Sequence, residues 1–142
     1  MKSLKFQMNL VANKQNITDV IKYIKDIIDG KNIVVLLQGD LASGKTTLVK
    51  EYLSYIGSNS EVTSPTFSLQ SIYSNNIYHY DIYNKTINEF ISLGMLEEFE
   101  KDGIHFVEWG DDKLEKLLLE YGFDILKIQI KKLEDKREYI IG

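Results

Sequence analysis

Short apolar runs, punctuated by glycines and polar turns, give the chain the pattern of a protein that alternates strands with helices. The segments NIVVLLQ at 32–38 and IHFVEW at 104–109 are almost continuously apolar, which is typical of strands covered on both faces. We expect the first of them to be the central strand. Residues 4–10 alternate apolar and polar side chains, which predicts a half-buried strand. Apolar residues then recur at helical spacing from an N-cap at Asn16 to a stop at Gly30.

Two later parts of the chain predict antiparallel hairpins. The segments TFSLQSIY at 66–73 and NIYHYDIY at 76–83 are strand-like and are separated by Ser74 and Asn75, which are common turn residues. In the tail, residues 124–141 alternate apolar and polar side chains on both sides of a polar turn. We expect this tail to form a hairpin at an edge of the sheet.

Helix signals lie between these strands. Thr86 and Glu89 have the spacing of a capping box that opens a short helix, which Gly94 interrupts. Asp112 and Glu115 predict a second capping box and a later helix. Because helices alternate with buried strands, we expect an α/β fold of three layers, with a mixed, mostly parallel central sheet and antiparallel hairpins at its edges.

Composition narrows the classes of function. At 142 residues the chain is the size of one domain, and we expect a single domain over residues 1–142. No apolar run approaches the roughly 20 residues of a membrane-spanning helix, and no secretory signal is readable, so we expect a cytoplasmic protein without a membrane partner. The absence of cysteine excludes disulfides and thiolate metal sites, and the presence of only two histidines disfavours a histidine zinc site.

The charge of the chain bears on its partners. A net charge of -4 and a pI near 5.2 argue against direct nucleic-acid binding, which requires a concentrated basic face. Any RNA would therefore be reached through a partner protein. Arg137 is the only arginine, so this chain has almost no means of clamping a transferring phosphate with guanidinium groups.

The segment GDLASGKT at 39–46 matches the phosphate-binding pattern G-x-x-x-x-G-K-[ST] at every required position. Its two glycines let successive N–H groups turn toward one anion, and the following helix points its positive end at the same place. Lys45 can bridge β- and γ-phosphate oxygens, the Thr46 hydroxyl suits Mg²⁺, and Thr47 adds a hydroxyl near the α-phosphate. The residues predicted to hold the nucleotide are Gly39, Leu41, Ala42, Ser43, Gly44, Lys45, Thr46 and Thr47. An ordinary glycine-rich turn is the alternative, but the buried strand before it and the helix after it favour a P-loop NTPase fold.

The second half of such a site is an acidic residue at the end of a neighbouring buried strand, where it holds or orients the metal. Glu108, which closes IHFVE, is the best candidate, and a solvated carboxylate at a strand end is the alternative. Asp81 shares a strand face with His79; it either orders a water, the metal shell or a loop, or forms a plain surface pair. The proline in TSPTF at 63–67 extends the backbone, so hydroxyls such as that of Thr66 could sense a γ-phosphate unless the segment is only a turn.

Taken together, five segments resemble a known family. GDLASGKTT, VTSPTF, HYDIY, LGMLEEF and VEWGD follow one another in the order and at the spacing of the TsaE (YjeE) family, the small P-loop ATPases of bacterial tRNA threonylcarbamoyladenosine synthesis. The likeness extends over almost the whole chain. The five segments together are far more specific than the P-loop alone.

The resemblance implies ATP as the nucleotide, Mg²⁺ as the cofactor and ATP hydrolysis as the activity. It also implies work with the TsaB and TsaD proteins, which install threonylcarbamoyl on the adenosine next to the anticodon of ANN-decoding tRNAs. The tRNA would be met only through that complex, whose turnover the ATPase supports without transferring the threonylcarbamoyl group itself. By position, the candidate catalytic residues are Lys45, Thr66, Asp81 and Glu108, and the candidate metal ligands are Thr46 and Glu108.

The chain also departs from the family pattern at three positions. Its loop reads ASGKT where GAGKT is usual, so Ala42 makes the loop less free. Asn84 replaces the basic residue that commonly follows the tyrosine of HYDIY, and Gly110 replaces the usual proline or alanine after EW. None of these touches a predicted phosphate or metal ligand. Trp109, next to the metal acid, becomes a functional aromatic in the light of the resemblance.

Two other functions remain open. A small-molecule P-loop kinase could use Glu108 or Asp81 as a base, but one arginine cannot furnish the arginine-bearing lid of such kinases. A nucleotide-gated adaptor without significant hydrolysis is the second alternative. A GTPase is disfavoured, because NKTI at 84–87 lacks the aspartate of N-K-x-D. Without an arginine in cis, we expect slow hydrolysis by the isolated chain and a partner that completes the site or holds its productive conformation. Arg137 and the region of Asn9 are candidates for contact with the base.

Overall fold

The computed structural model describes residues 7–58, 61–63 and 69–142, which form one eight-stranded sheet with five helices. The strands are β1 (Met8–Ala12), β2 (Ile33–Gln38), β3 (Glu61–Thr63), β4 (Gln70–Tyr73), β5 (Ile77–Asp81), β6 (Ile104–Glu108), β7 (Ile125–Lys132) and β8 (Arg137–Ile141). The helices are α1 (Ile17–Ile28), α2 (Lys45–Tyr55), α3 (Ile87–Ser92), α4 (Met95–Phe99) and α5 (Asp112–Glu120).

The strand order across the described sheet is β1-β8-β7-β2-β6-β5-β4-β3. β2, predicted to be central, pairs in parallel with β6 on one side and with β7 on the other, and β5 is parallel to β6. β4 and β8 are antiparallel to their neighbours and therefore run opposite to the other six strands. The mixed, mostly parallel sheet of the predicted α/β fold is confirmed.

Two apolar layers lie on opposite faces of this sheet. β2 is buried along its length, and its side chains alternate between them: Val35 and Leu37 belong to one layer, Val34 and Leu36 to the other. α1 and α2 cover the first layer, whereas α3, α4 and α5 cover the second. This is the predicted three-layer arrangement, and it brings the carboxyl ends of β2, β5, β6 and β7 to one edge of the sheet.

The isoleucine-rich helix forms where its periodicity predicts it. α1 follows Asn16 and ends before Gly30, which has a positive φ of 71°. The Asn16 side chain makes no capping hydrogen bond to the helix; its Oδ1 accepts from the Asn13 N–H at 2.7 Å instead. The first strand begins at Met8 and continues to Ala12, further along the chain than the predicted range, and residues 4–6 lie outside the described residues.

Both predicted hairpins form, but one prediction about their position is wrong. β4 and β5 are joined by a turn in which Asn75 and Asn76 have positive φ of 66° and 56°, and β3, which the pattern did not predict, pairs with β4. The tail hairpin of β7 and β8 does not lie at an edge, because β7 pairs with β2 and β1 covers β8. Ile125 and Leu126 bury their side chains in opposite layers, which suits β7 to the interior of a sheet.

The caps of the later helices follow the sequence signals with one correction. Thr86 and Glu89 form the predicted capping box of α3, and Gly94 separates α3 from α4. The predicted cap at Asp112 is wrong: α5 begins at that residue, and the preceding Asp111 accepts from the Leu114 N–H at 2.9 Å. Two adjacent aspartates made the choice ambiguous by one residue. None of the described helices combines the length and the apolar character that crossing a membrane requires.

Candidate functional site

The loop of residues 39–44 joins β2 directly to α2, which confirms the predicted order of strand, glycine loop and helix. Gly39 has a φ of 155°, and a Cβ there would lie 2.5 Å from Ser43 Oγ and 2.7 Å from the carbonyl oxygen of Ile130. Gly44, at the N-cap of α2, has a φ of 112°. Both positions therefore require glycine, one for its close contacts and both for their backbone conformation.

Leu41 and Ala42 face solvent at the tip of the loop, whereas Ser43 is buried. Leu41 is 70% exposed, and Ala42 is exposed with a φ of 60°. That left-handed conformation is uncommon for a residue with a side chain, which agrees with the expectation that alanine makes the loop less free. The N–H groups of the first turn of α2 have no carbonyl within the helix to bind, and they lie at its positive end. An anion bound here would be met by main-chain donors.

Lys45 occupies the centre of the loop. Its side chain is buried, and its ammonium Nζ donates to the carbonyl oxygens of Gly39 at 2.6 Å and Asp40 at 3.0 Å. Burial lowers the pKa of Lys45, while the charges of Glu108, Asp40 and Asp81 oppose that shift. The Nζ also lies 3.8 Å from the centroid of the Trp109 ring, a distance typical of a cation–π contact. The ammonium thus stands in a largely dry site where an anion would be its natural partner.

Glu108 is a buried carboxylate at the end of β6, and two donors hold it. The Thr46 hydroxyl lies 2.8 Å from both carboxylate oxygens, and His79 Nε2 lies 2.5 Å from Oε2. Burial by itself raises the pKa of Glu108, but the hydrogen bonds from His79 and Thr46, with the charge of Lys45, outweigh it and hold that pKa below its ordinary value. The result is an ionised carboxylate beside a threonine hydroxyl, two oxygen ligands of the kind Mg²⁺ prefers.

Trp109 reaches Lys45 because its backbone turns sharply after β6. It has a positive φ of 70°, and its N–H donates to the carbonyl of Leu37 at 3.0 Å. Its ring also contacts that of Tyr83, with centroids 4.8 Å apart. At the next residue, Gly110, a Cβ would lie 2.6 Å from a methyl carbon of Leu36, so the turn passes close over β2.

Asp81 reaches the same edge but is not held as Glu108 is. It pairs in register with Glu108, is exposed, and uses Oδ1 to accept from the N–H of Tyr83 at 3.1 Å. It shares the predicted face of β5 with His79, yet it is His79 that reaches Glu108. Thr66, predicted to lie near a γ-phosphate, falls outside the described residues.

Two contacts of the site were not predicted. The His79–Glu108 pair depends on the register of β5 and β6, which a hydrophobic pattern does not fix. Arg137 donates from Nε to the carbonyl of Ser43 at 2.7 Å, although the two residues are 94 positions apart. The one feature of the sequence that pointed to a role for Arg137 is that it is the only arginine. Asn9, the other candidate for contact with the base, donates to Glu138 at 3.2 Å.

Cavities flank the loop on two sides. One of about 700 Å³ lies between the loop, the turn after β6 and the end of β7; its lining includes Gln38, Trp109 and Asp111. Another of about 490 Å³ lies beside Gly44 and Thr47 and is closed by the turn before α1 and the β7–β8 turn. Within the described residues, no group of three or more histidine, aspartate or glutamate side chains could hold a metal ion by itself.

Comparisons with known proteins agree on one family. A family model described as "Threonylcarbamoyl adenosine biosynthesis protein TsaE" matches residues 11–139. The chain is 40% identical over 81 residues to the tRNA threonylcarbamoyladenosine biosynthesis protein TsaE of Treponema pallidum (strain Nichols), an alignment of 55% of this chain and 60% of that protein. It is 37% identical over 109 residues to the protein of the same name from Bacillus subtilis (strain 168), covering 74% of this chain and 66% of the relative. The chain thus spans less than two thirds of the length of several of its relatives.

A solved structure supports the fold. The crystal structure of Bacillus subtilis YdiB superposes with a TM-score of 0.65 and 26% sequence identity, covering 96% of this chain and 84% of that one. This likeness confirms the predicted α/β fold and is consistent with a P-loop NTPase.

Proposed function

Because the chain belongs to the TsaE family, we propose that it is a magnesium-dependent ATPase that supports the threonylcarbamoyladenosine modification of tRNA. The observation that carries the proposal is the meeting of Lys45, Thr46 and Glu108 around one glycine loop. A buried ammonium, the main-chain N–H groups at the N-terminus of α2 and a paired hydroxyl and carboxylate together match the charge of a magnesium-chelated triphosphate.

The phosphates would lie over the N-terminus of α2. There the loop amides from Leu41 to Thr46 would donate to phosphate oxygens, and Lys45 would exchange its bonds to the carbonyls of Gly39 and Asp40 for bonds to β- and γ-phosphate oxygens. Thr47, the third residue of α2, is exposed and lines the 490 Å³ cavity. We assign the ribose and base to this cavity, because it begins at the α-phosphate end of the loop.

Magnesium would be held by Thr46 and Glu108 together with phosphate oxygens. The donor set fits, since both side chains offer hard oxygen ligands and Glu108 is ionised. The ion would neutralise charge that develops on the phosphates during hydrolysis. In this chain, Glu108 orients the Thr46 hydroxyl. Asp81 lies beside Glu108 at the same edge of the sheet, and we assign to Asp81 the ordering of the attacking water. Thr66, in the segment TSPTF, is assigned from the sequence alone to sensing the γ-phosphate.

The position of Arg137 argues against the alternative of a small-molecule kinase. That guanidinium is engaged with the outside of the loop at Ser43, and the chain has no second arginine with which to close a lid over the phosphates. The lack of a second arginine also supports slow ATP hydrolysis by the isolated chain. It supports a role for TsaB and TsaD in completing the site or holding its productive conformation. The acidic net charge supports contact with tRNA only through those partners.

The test is ATP binding and turnover by the purified chain, alone and with TsaB and TsaD, together with tRNA modification by the mixture. Lys45→Ala should lower ATP affinity, while Glu108→Gln should retain ATP binding and lose turnover by at least about ten-fold. Glu120→Gln, an equal change at the exposed far end of α5, is the matched control. ATP binding without turnover in every mixture, with tRNA modification intact in Glu108→Gln, would favour the nucleotide-gated adaptor. Failure of the wild-type chain to bind ATP would refute the proposal.

A further inference from the structure

Arg137 connects the tail hairpin to the glycine loop. It opens β8, where it pairs with Ala12 of β1 and Lys132 of β7. From there its half-buried side chain reaches the loop, and Nε donates to the carbonyl oxygen of Ser43 at 2.7 Å. A second donor of the same guanidinium, Nη1, bonds the carbonyl of Lys136 at 3.2 Å. Two nitrogens of the guanidinium are therefore bound to main-chain carbonyls.

The bond to Ser43 fixes the orientation of a whole peptide unit. The Ser43–Gly44 peptide is trans, so its C=O and N–H groups point in opposite directions. Because Arg137 binds the carbonyl, the Gly44 N–H is directed away from the guanidinium. Gly44 has a φ of 112°, a conformation that glycine alone adopts readily.

We propose that Arg137 is a positioning residue for phosphate binding, which holds the Ser43–Gly44 peptide with its N–H facing the anion. The inference rests on the proposed function, since it concerns the same phosphate site. It differs from a direct contact between Arg137 and the nucleotide base, to which the side chain is also close because it lines the 490 Å³ cavity. It also differs from general attraction of anions by a cation, which a neighbouring lysine would supply equally well.

The experiment compares a ligand with a base and a ligand without one. Affinities of ATP and inorganic tripolyphosphate are measured with and without magnesium for wild type, Arg137→Gln and Lys50→Gln. Lys50 is the matched control, because it is an exposed lysine of α2 that lines neither cavity beside the loop, and its replacement removes the same charge. Arg137→Gln should weaken both ligands by about ten-fold, the cost of one charge-assisted hydrogen bond. Lys50→Gln should change either affinity less than about two-fold, because exposed charges are screened.

Each other outcome overturns the inference in a distinguishable way. Loss of ATP affinity alone would identify a base contact, and equal losses in both variants would identify general attraction. If wild type binds neither ligand, with magnesium or without it, the proposed function itself fails.

A measurement on the wild-type protein removes dependence on the folding of any variant. Since Arg137 is the only arginine, its Nε–Hε group gives a single resonance in a ¹⁵N spectrum. We expect this proton to be protected from solvent exchange in the free protein and to stay protected when tripolyphosphate binds, while the Gly44 amide resonance shifts. An unprotected Hε, or a Gly44 amide that does not respond to tripolyphosphate, would overturn the assignment.

Discussion

Replacing His79 with asparagine should destabilise the free protein by removing one of the two donors that hold Glu108. The bond from Nε2 to the carboxylate is 2.5 Å long, and the two side chains are only 13% and 6% exposed. A hydrogen bond to a charged group in such surroundings contributes about 1.5–3 kcal/mol. Asparagine places its amide nitrogen near the Nδ1 position of histidine and falls short of the carboxylate. Glutamine extends one atom further and can donate from a position close to Nε2.

The assay is urea unfolding of the metal-free and nucleotide-free protein, so that only the side chains contribute. A loss of about 2 kcal/mol shifts the unfolding midpoint by about 1 M urea for a protein of this size. We expect such a shift for His79→Asn and less than half of it for His79→Gln. In a Glu108→Gln background, where the acceptor is neutral, His79→Asn should cost only about 1 kcal/mol.

Equal shifts for the asparagine and glutamine variants would refute the reasoning, because the donor at the Nε2 position would then contribute nothing. The same conclusion would follow if the cost of His79→Asn were unchanged in the Glu108→Gln background. Either result would mean that His79 stabilises β5 through packing alone, leaving Thr46 as the donor that orients Glu108.

Further predictions concern the loop and the buried polar groups behind the site. Gly39→Ala should abolish nucleotide binding, because the added Cβ would overlap Ser43 of the loop and Ile130 of β7. Titration with ATP measures the binding, and circular dichroism should show that the secondary structure is nearly unchanged. Tyr80→Phe should lower the free energy of unfolding by about 2 kcal/mol, because the Tyr80 hydroxyl lies 2.7 Å from Nδ1 of buried His105 and accepts from Gln70 at 3.1 Å. The measurement is the melting temperature, compared with that of the control Tyr121→Phe at an exposed position. Burial lowers the pKa of His105 below 6.5, because the folded protein favours the neutral imidazole. The stability that neutral His105 contributes is therefore complete above about pH 6.5, and it is lost as the pH falls through the lowered pKa. Urea unfolding at pH 7.5 and 5.5 should show that loss in wild type and a smaller one in His105→Gln.

The parts of the site that the sequence predicts are those determined by local chemistry. The phosphate pattern fixes the loop, and the buried runs that become β2 and β6 place Lys45, Thr46 and Glu108 at one edge, because parallel strands end on the same side. Gly39 and Gly44 could be predicted as well, because the backbone of the loop in which both lie requires glycine at these two positions.

The parts that escaped prediction depend on pairing between distant segments. Hydrophobic alternation places His79 and Asp81 on one face of β5 but does not say which of them meets Glu108; the register of β5 with β6 decides that. The tail hairpin was predicted, yet its insertion between β2 and β1 was not, because alternation specifies faces and not neighbours. Arg137 opens β8 within that inserted hairpin and reaches Ser43 from there.

Four carbonyl groups of the glycine loop accept hydrogen bonds from other groups of the same chain. The ammonium of Lys45 binds the carbonyls of Gly39 and Asp40, Arg137 binds that of Ser43, and the helix binds that of Gly44 through the N–H of Leu48. In a trans peptide each engaged carbonyl turns the N–H of the following residue the opposite way. The carbonyls of Gly39 and Asp40 thus face the ammonium of Lys45, whereas those of Ser43 and Gly44 are bound elsewhere, which leaves the N–H groups of Gly44 and Lys45 directed away from those two donors. A phosphate that draws Lys45 away from its carbonyls must replace those bonds, so the lysine and the loop respond to the ligand as one unit.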